Sequence, residues 1–288
     1  MMKMQLTPIN ELGGWLFKRE DLFQPFPFCK ANGSKLRQSI ILTEKNIETA
    51  RNGLITGTSI VSPQGVICAA TARYLKVPCK IIYGGTTIER IKNEKYPVEA
   101  ARLGAQIIIG SKCPRTAVLN SIAKEEAKKT NAFVIKYGFD LRNNLDCFIE
   151  SVAEQVKNIP DELENLVIVV GSSITLIGVL YGIALYGKSV KNVWGVGCAP
   201  NRTDKIKKYA QIIYEEKKVS LPLNILRYVD CFSKYKGFKY ENTYDERYMG
   251  INFHPRYEAK AFLWMTKALN PKRDRKTLFW INGKDIIE

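Results

Sequence analysis

Histidine is nearly missing: His254 is the single instance in 288 residues. Ser-His-Asp and Cys-His nucleophilic chemistry is therefore excluded unless His254 is itself the base. Standing before Pro255 in a loop, it reads instead as a surface or capping residue. Cys-x-x-Cys pairs are also absent, and one histidine cannot complete a mixed zinc motif of the usual spacing, so no metal is expected. The seven cysteines, at 29, 68, 79, 113, 147, 198 and 231, are odd in number and widely spaced. Most sit in apolar context, as in Val66-Ile67-Cys68-Ala69-Ala70, and they read as free thiols of a cytoplasmic protein. Apolar runs stay at strand length, short of the roughly 20 residues a membrane span needs. Met1 to Asn10 has no continuous apolar stretch and does not read as a secretory signal. Repeats and low-complexity tracts are missing as well.

Acid is the other shortage. Against 44 Lys and Arg there are 28 Asp and Glu, a net charge of +16. Such a balance attracts anionic partners, whether phosphate, nucleotide or nucleic acid, without specifying which. The lysine-rich runs Lys205 to Lys208 and Pro271 to Lys276 read as solvated faces.

What is present is an α/β alternation. Strand-like segments at Gly53 to Thr56, Cys79 to Tyr83, Ala105 to Ile109, Ala132 to Ile135, Leu166 to Val170, Lys191 to Gly197 and Thr277 to Ile281 alternate with helix-length amphipathic stretches. Glycine-containing turns follow several of these strands, the place where open parallel sheets bind ligands. Leu221 to Asp245 lacks clean periodicity and reads as irregular. The length allows one or two domains.

Two segments could carry chemistry. In Asn32-Gly33-Ser34-Lys35, a turn opens a helix and presents one amine near the positive end of the helix dipole, which favours a neutral, nucleophilic lysine able to form a Schiff base. The same spacing also fits a solvated lysine after a turn. In Val170-Gly171-Ser172-Ser173-Ile174-Thr175, a buried strand runs into a hydroxyl-rich turn and then a helix, so backbone amides and hydroxyls converge where a phosphate could sit. It is neither a Walker loop nor a dinucleotide fingerprint, and a tight turn capped by Ser173 or Thr175 fits it too. An amine lysine and a phosphate cup on different elements together suit a pyridoxal phosphate enzyme.

In that light the order of motifs resembles the fold-type II pyridoxal phosphate enzymes, and most resembles the 1-aminocyclopropane-1-carboxylate deaminases and D-cysteine desulfhydrases among them. The likeness starts at Leu16-Phe17-Lys18-Arg19-Glu20-Asp21-Leu22 and Asn32 to Arg37. Thr56 to Gln64 then lies where that family has its Ser-Asn-His segment, and Gly171 to Gly178 is similar to its phosphate loop. His254-Pro255-Arg256-Tyr257-Glu258-Ala259-Lys260-Ala261 is similar to Asp-Pro-Val-Tyr-Thr-Gly-Lys-Ala, and Leu278 to Gly283 to the last strand and its turn. The resemblance implies two open, twisted, mostly parallel sheets flanked by helices, with the cofactor in a cleft between a small domain (46–152) and a large one (1–45 plus 153–288). It implies a homodimer too.

Carried over residue by residue, it makes Lys35 the Schiff-base lysine and proton carrier, and Gly171, Ser172, Ser173, Ile174 and Thr175 the phosphate holders. Ser62 falls at the active-site serine and Tyr257 at the active-site tyrosine. Asn282 lies near the group facing the pyridine nitrogen, and Ser59 and Gln64 flank Ser62 as substrate contacts. The chain departs from the family at Pro63, where an asparagine lies under the cofactor ring, at Gln64, which replaces histidine, and at Ser173 and Ile174, which replace two glycines. Three readings follow: a lyase or deaminase acting at Cα or Cβ of an amino acid or aminoacyl group; the same chemistry on an aminoacyl-modified nucleotide or DNA base; or a degenerate protein that binds the cofactor without turnover.

Overall fold

The computed structural model describes residues 5–113, 115–138, 144–239 and 241–286. It opens with β1 (Ile9–Leu12) and β2 (Trp15–Arg19), an antiparallel hairpin. Its two-residue turn needs positive φ at both positions, which Gly13 (+56°) and Gly14 (+83°) supply. β3 (Leu54–Thr58), β4 (Cys79–Gly84), β5 (Gln106–Ser111) and β6 (Phe133–Val134) form a wholly parallel sheet in the order β5-β4-β3-β6. Then come β7 (Glu162–Val170), β8 (Ser189–Gly197) and β9 (Leu226–Val229), the small hairpin of β10 (Arg247–Tyr248) and β11 (Ile251–Asn252), and β12 (Thr277–Ile281). The second sheet runs β1-β2-β12-β7-β8-β9, parallel throughout except at β1. Every residue of β3 and of β12 is buried. Parallel strands covered on both faces read as continuous apolar runs, which is why they were legible.

Contacts group the chain into two compact units, one holding residues 24–138 and the other residues 5–23 and 144–285. This division differs from the boundaries expected from sequence at both ends. The helix Gly33–Lys45 joins the four-stranded unit, where Ser39 and Thr71 share a hydrogen bond of 3.0 Å with the helix Gln64–Leu75. The helix Leu145–Ala153 joins the six-stranded unit, because Gly178 and Gly182 of the helix Ile174–Leu185 admit it closely. A Cβ on either glycine would stand 2.6 Å from Val152 or Val156. Neither contact leaves a local trace in the sequence.

The four-stranded unit has an aliphatic core around Ile55, Ile82, Leu119 and Ala123. The six-stranded unit is aromatic, with Phe253 and Phe262 stacked at 4.5 Å and Phe17 and Phe279 6.2 Å apart. The Phe17-Lys18-Arg19-Glu20-Asp21 motif anchors the chain here. Lys18, fully buried, donates to Thr7 O (2.8 Å) and Asn158 Oδ1 (2.6 Å), and Thr7 donates to buried Glu20 (2.6 Å). Buried charges of this kind persist only when hydrogen-bonded.

The segment 221–245, expected to be irregular, contributes β9 and the short helix Cys231–Lys234. β9 is an edge strand with partly exposed residues, so its pattern carries little apolar signal. All seven cysteines are free thiols, six of them buried. Among the described residues no helix is long and apolar enough to cross a membrane, and no cluster of three His, Cys, Asp or Glu side chains could hold a metal.

Candidate functional site

Lys35 is the third residue of the helix Gly33–Lys45 and is half-buried. Gly33 enters that helix at φ +86°, a left-handed geometry suited to glycine. In the same unit, β3 runs through a short turn into the helix Gln64–Leu75, and this strand-turn-helix gathers Ser59, Ser62 and Gln64. Ser62 is 1% exposed, its amide donates to Ser59 O (3.0 Å), and its hydroxyl accepts the amide of Gln64 (3.3 Å). The Gln64 side chain is held at both ends: Nε2 donates to Thr56 Oγ1 (3.0 Å) and Lys136 O (2.9 Å), while Oε1 accepts the amide of Gly138 (2.9 Å).

The six-stranded unit brings the other expected residues together. β7 ends at Val170, Gly171 to Ser173 form the turn, and the helix starts at Ile174. Ser173 takes φ +76°, in the left-handed region that favours glycine. Its hydroxyl is buried and has no hydrogen-bond partner among the described residues. A Cβ on Gly171 would meet only Tyr257 Cε1, at 3.8 Å, which places the tyrosine ring beside the turn. Asn282, just past β12, donates its side-chain amide to Val169 O (3.4 Å) and its backbone amide to Glu258 Oε1 (3.2 Å). Turn, tyrosine and asparagine thus share one end of the sheet, where β7 and β12 finish.

This donor set fits a phosphate. An unpartnered hydroxyl in a buried site costs about 1–3 kcal/mol, and here it stands at the start of a 12-residue helix whose dipole and free amides favour an anion. Two further residues border this donor set. Glu258, 2% exposed, brings a buried carboxylate to Asn282. Its one sequence signal is an acidic residue opening a helix beside Tyr257. Arg202 donates from Nε to Gly171 O at 2.9 Å, a contact across 31 residues that no local pattern announces.

His254 is not a surface residue. It is 3% exposed, and Nδ1 accepts the amide of Arg256 (3.2 Å) while its carbonyl accepts those of Tyr257 and Ala259, each at 3.1 Å. Its side chain closes the turn before the helix Glu258–Trp264, whose N-cap is Tyr257, and its burial comes from packing that the sequence does not show.

No family model matches the chain. It is similar to an O-seryl-dTMP pyridoxal phosphate-dependent decarboxylase of Salmonella phage ViI, 27% identical over 94% of this chain and 78% of the relative. Among solved structures it resembles a homologue of ACC deaminase, with TM-score 0.74 and 17% identity over 97% of this chain and 89% of the other. It also resembles threonine deaminase isoform 2 from Solanum lycopersicum, with TM-score 0.63 and 15% identity over 97% of this chain and 79% of that one. Both are fold-type II pyridoxal phosphate enzymes. With parallel sheets flanked by helices and these structural likenesses, the chain has the fold of the fold-type II pyridoxal phosphate-dependent enzymes.

Proposed function

We propose that this protein is a pyridoxal phosphate-dependent lyase that breaks a bond at Cα of an aminoacyl group, and that the group is carried on a nucleotide. The observation that carries this reading is the likeness, over 94% of the chain, to a decarboxylase of a seryl nucleotide. The unpartnered Ser173 hydroxyl supports the cofactor part.

Bound to the protein, the cofactor supplies an electron sink for the pair released at Cα. Lys35 would hold it through its amine, and the same amine would carry a proton to or from the substrate Cα. Gly171 and the amides and hydroxyls of Ser172, Ser173, Ile174 and Thr175 hold the phosphate, with Tyr257 beside them. The buried carboxylate of Glu258, which accepts the Asn282 amide, would favour a protonated ring nitrogen on a cofactor held there. Ser59 and Ser62 orient the substrate carboxylate, and Gln64 braces their turn. For a seryl group joined through oxygen, the bond from Cα to the carboxylate breaks, carbon dioxide leaves, a proton ends on Cα, and an aminoethyl group stays on the same oxygen.

Three finer parts belong to the same proposal. The protein forms a homodimer, as the resemblance implies. It works in the cytoplasm, which the free thiols support. The +16 charge draws in a polyanionic carrier, so that the nucleotide can be part of DNA.

The test is direct. Purified protein supplied with the cofactor should show the visible absorbance of the lysine-bound form, and Lys35→Ala should lose it together with at least about 10³-fold in rate. With O-seryl-dTMP, mass spectrometry should show loss of one carbon dioxide. A colourless wild type defeats the cofactor assignment. Turnover of free D-cysteine or threonine in preference to the seryl nucleotide defeats the substrate assignment, and cofactor binding without any turnover defeats both forms of catalysis.

A further inference from the structure

Arg202 stands outside the cofactor cup while touching its wall. Its Nε–H donates to the carbonyl of Gly171 (2.9 Å), and among the described residues no carboxylate lies within ion-pair distance of its guanidinium. The chain has no cis peptide among those bonds. In a planar trans peptide the C=O of Gly171 and the N–H of Ser172 therefore point in opposite directions. If the Ser172 amide faces the cofactor phosphate, Arg202 lies on the other side of that peptide, and its remaining donors serve a second place.

That place has other features of a binding site. Gly171 and Gly197 close the C-terminal ends of neighbouring strands, with Val170 paired to Gly197 and Cys198 N donating to Val170 O at 3.0 Å. The ring of Tyr228, on the next strand, covers Gly197 so closely that a Cβ there would stand 2.4 Å from the tyrosine hydroxyl. Burial raises that hydroxyl above the ordinary tyrosine range, Asp230 adds to the rise, and the charge of Arg202 opposes it. Asp230 itself is occupied, accepting from Ser233 N (3.1 Å) and Asn201 Nδ2 (3.3 Å). An arginine with no acid beside it, fixed at the carboxyl edge of a parallel sheet, is suited to a phosphate monoester, because its planar fork can bond two phosphate oxygens at once.

The geometry points to Arg202 as the residue that holds the phosphate of the nucleotide substrate, a second anion position adjoining the cofactor turn. This rests on the nucleotide reading proposed above. The experiment is a titration of the cofactor-loaded protein with dTMP, with thymidine and with inorganic phosphate, for wild type, Arg202→Ala and Arg202→Gln. Wild type should prefer dTMP to thymidine, and both variants should lose about 10- to 100-fold in dTMP affinity. Thymidine affinity and cofactor absorbance should be unchanged, and Arg202→Gln keeps a donor for Gly171 O should the alanine variant fold poorly. Unchanged dTMP affinity in both variants overturns the role of Arg202 and leaves the nucleotide reading standing. Loss of the cofactor in both variants assigns Arg202 to the cofactor phosphate and also overturns it. A wild type that binds neither dTMP nor thymidine overturns the nucleotide reading and this inference together.

Discussion

Two strand-turn-helix corners of this protein have the same local plan and opposite finish. At the corner after β3 the turn closes on itself, although the Thr58 hydroxyl at the strand end has no partner among the described residues: Ser62 accepts the Gln64 amide, and the Gln64 side chain spends both ends on Thr56, Lys136 and Gly138. The corner after β7 is left open. Ser173 keeps a buried hydroxyl without a partner, Gly171 has space where a side chain would be, and Arg202 reaches in from 31 residues away. A self-satisfied polar turn is rigid and holds a neighbour in place; a turn with unspent donors is built for something that arrives from outside. The comparison explains why Gln64, at a position expected to touch substrate, is proposed here as a brace.

The largest effect that could break this contrast is at Gln64. Gln64→Leu leaves Lys136 O, Gly138 N and Thr56 Oγ1 without their partner, and denaturant unfolding should show a loss of about 3 kcal/mol. A loss below a few tenths would mean the closed corner is not held by this side chain.

A smaller and more diagnostic effect is expected at Ser173. Ser173→Gly should stabilise the cofactor-free protein by roughly 1 kcal/mol, since φ +76° costs a side chain about that much. Ser173→Ala keeps that backbone strain but removes the buried, unpartnered hydroxyl, and should also stabilise the cofactor-free protein, by about 1 kcal/mol. Both should weaken cofactor binding by about tenfold, because both lose a hydrogen bond to a charged group. Equal cofactor affinity in wild type and Ser173→Ala would show that the open corner serves something other than the phosphate.

The smallest effect lies on the helix that carries Tyr257. Lys260 is buried and donates to Lys239 O (2.7 Å) and Phe238 O (3.4 Å), and burial lowers its pKa below the ordinary lysine value. The folded state therefore binds this proton less readily than the unfolded chain. Stability should rise as pH climbs from the lowered pKa to the ordinary one, and be poorer below that window. Lys260→Met should flatten this slope in unfolding curves taken across alkaline pH; an unchanged slope would trace it to other groups.

Much of the fold was legible because its signals are local. Buried parallel strands such as β3, β7 and β12 announce themselves as apolar runs, and the Gly-Ser-Lys and Gly-Ser-Ser turns lie within a few residues of the elements they join. The edge strand β9 was not legible, since an exposed edge needs no apolar pattern. Nor was the placing of residues 24–45 with the four-stranded unit, which depends on packing such as that of Ser39 on Thr71. The sequence by itself determined an α/β chain with an amine lysine and a phosphate-fitting turn. Only the tertiary structure decided that Gln64 is spent within the protein, that His254 is buried, and that Glu258 and Arg202 lie beside Asn282 and Gly171. These depend on contacts between distant residues, and hydrogen-bond partners across such distances leave no period or spacing to read.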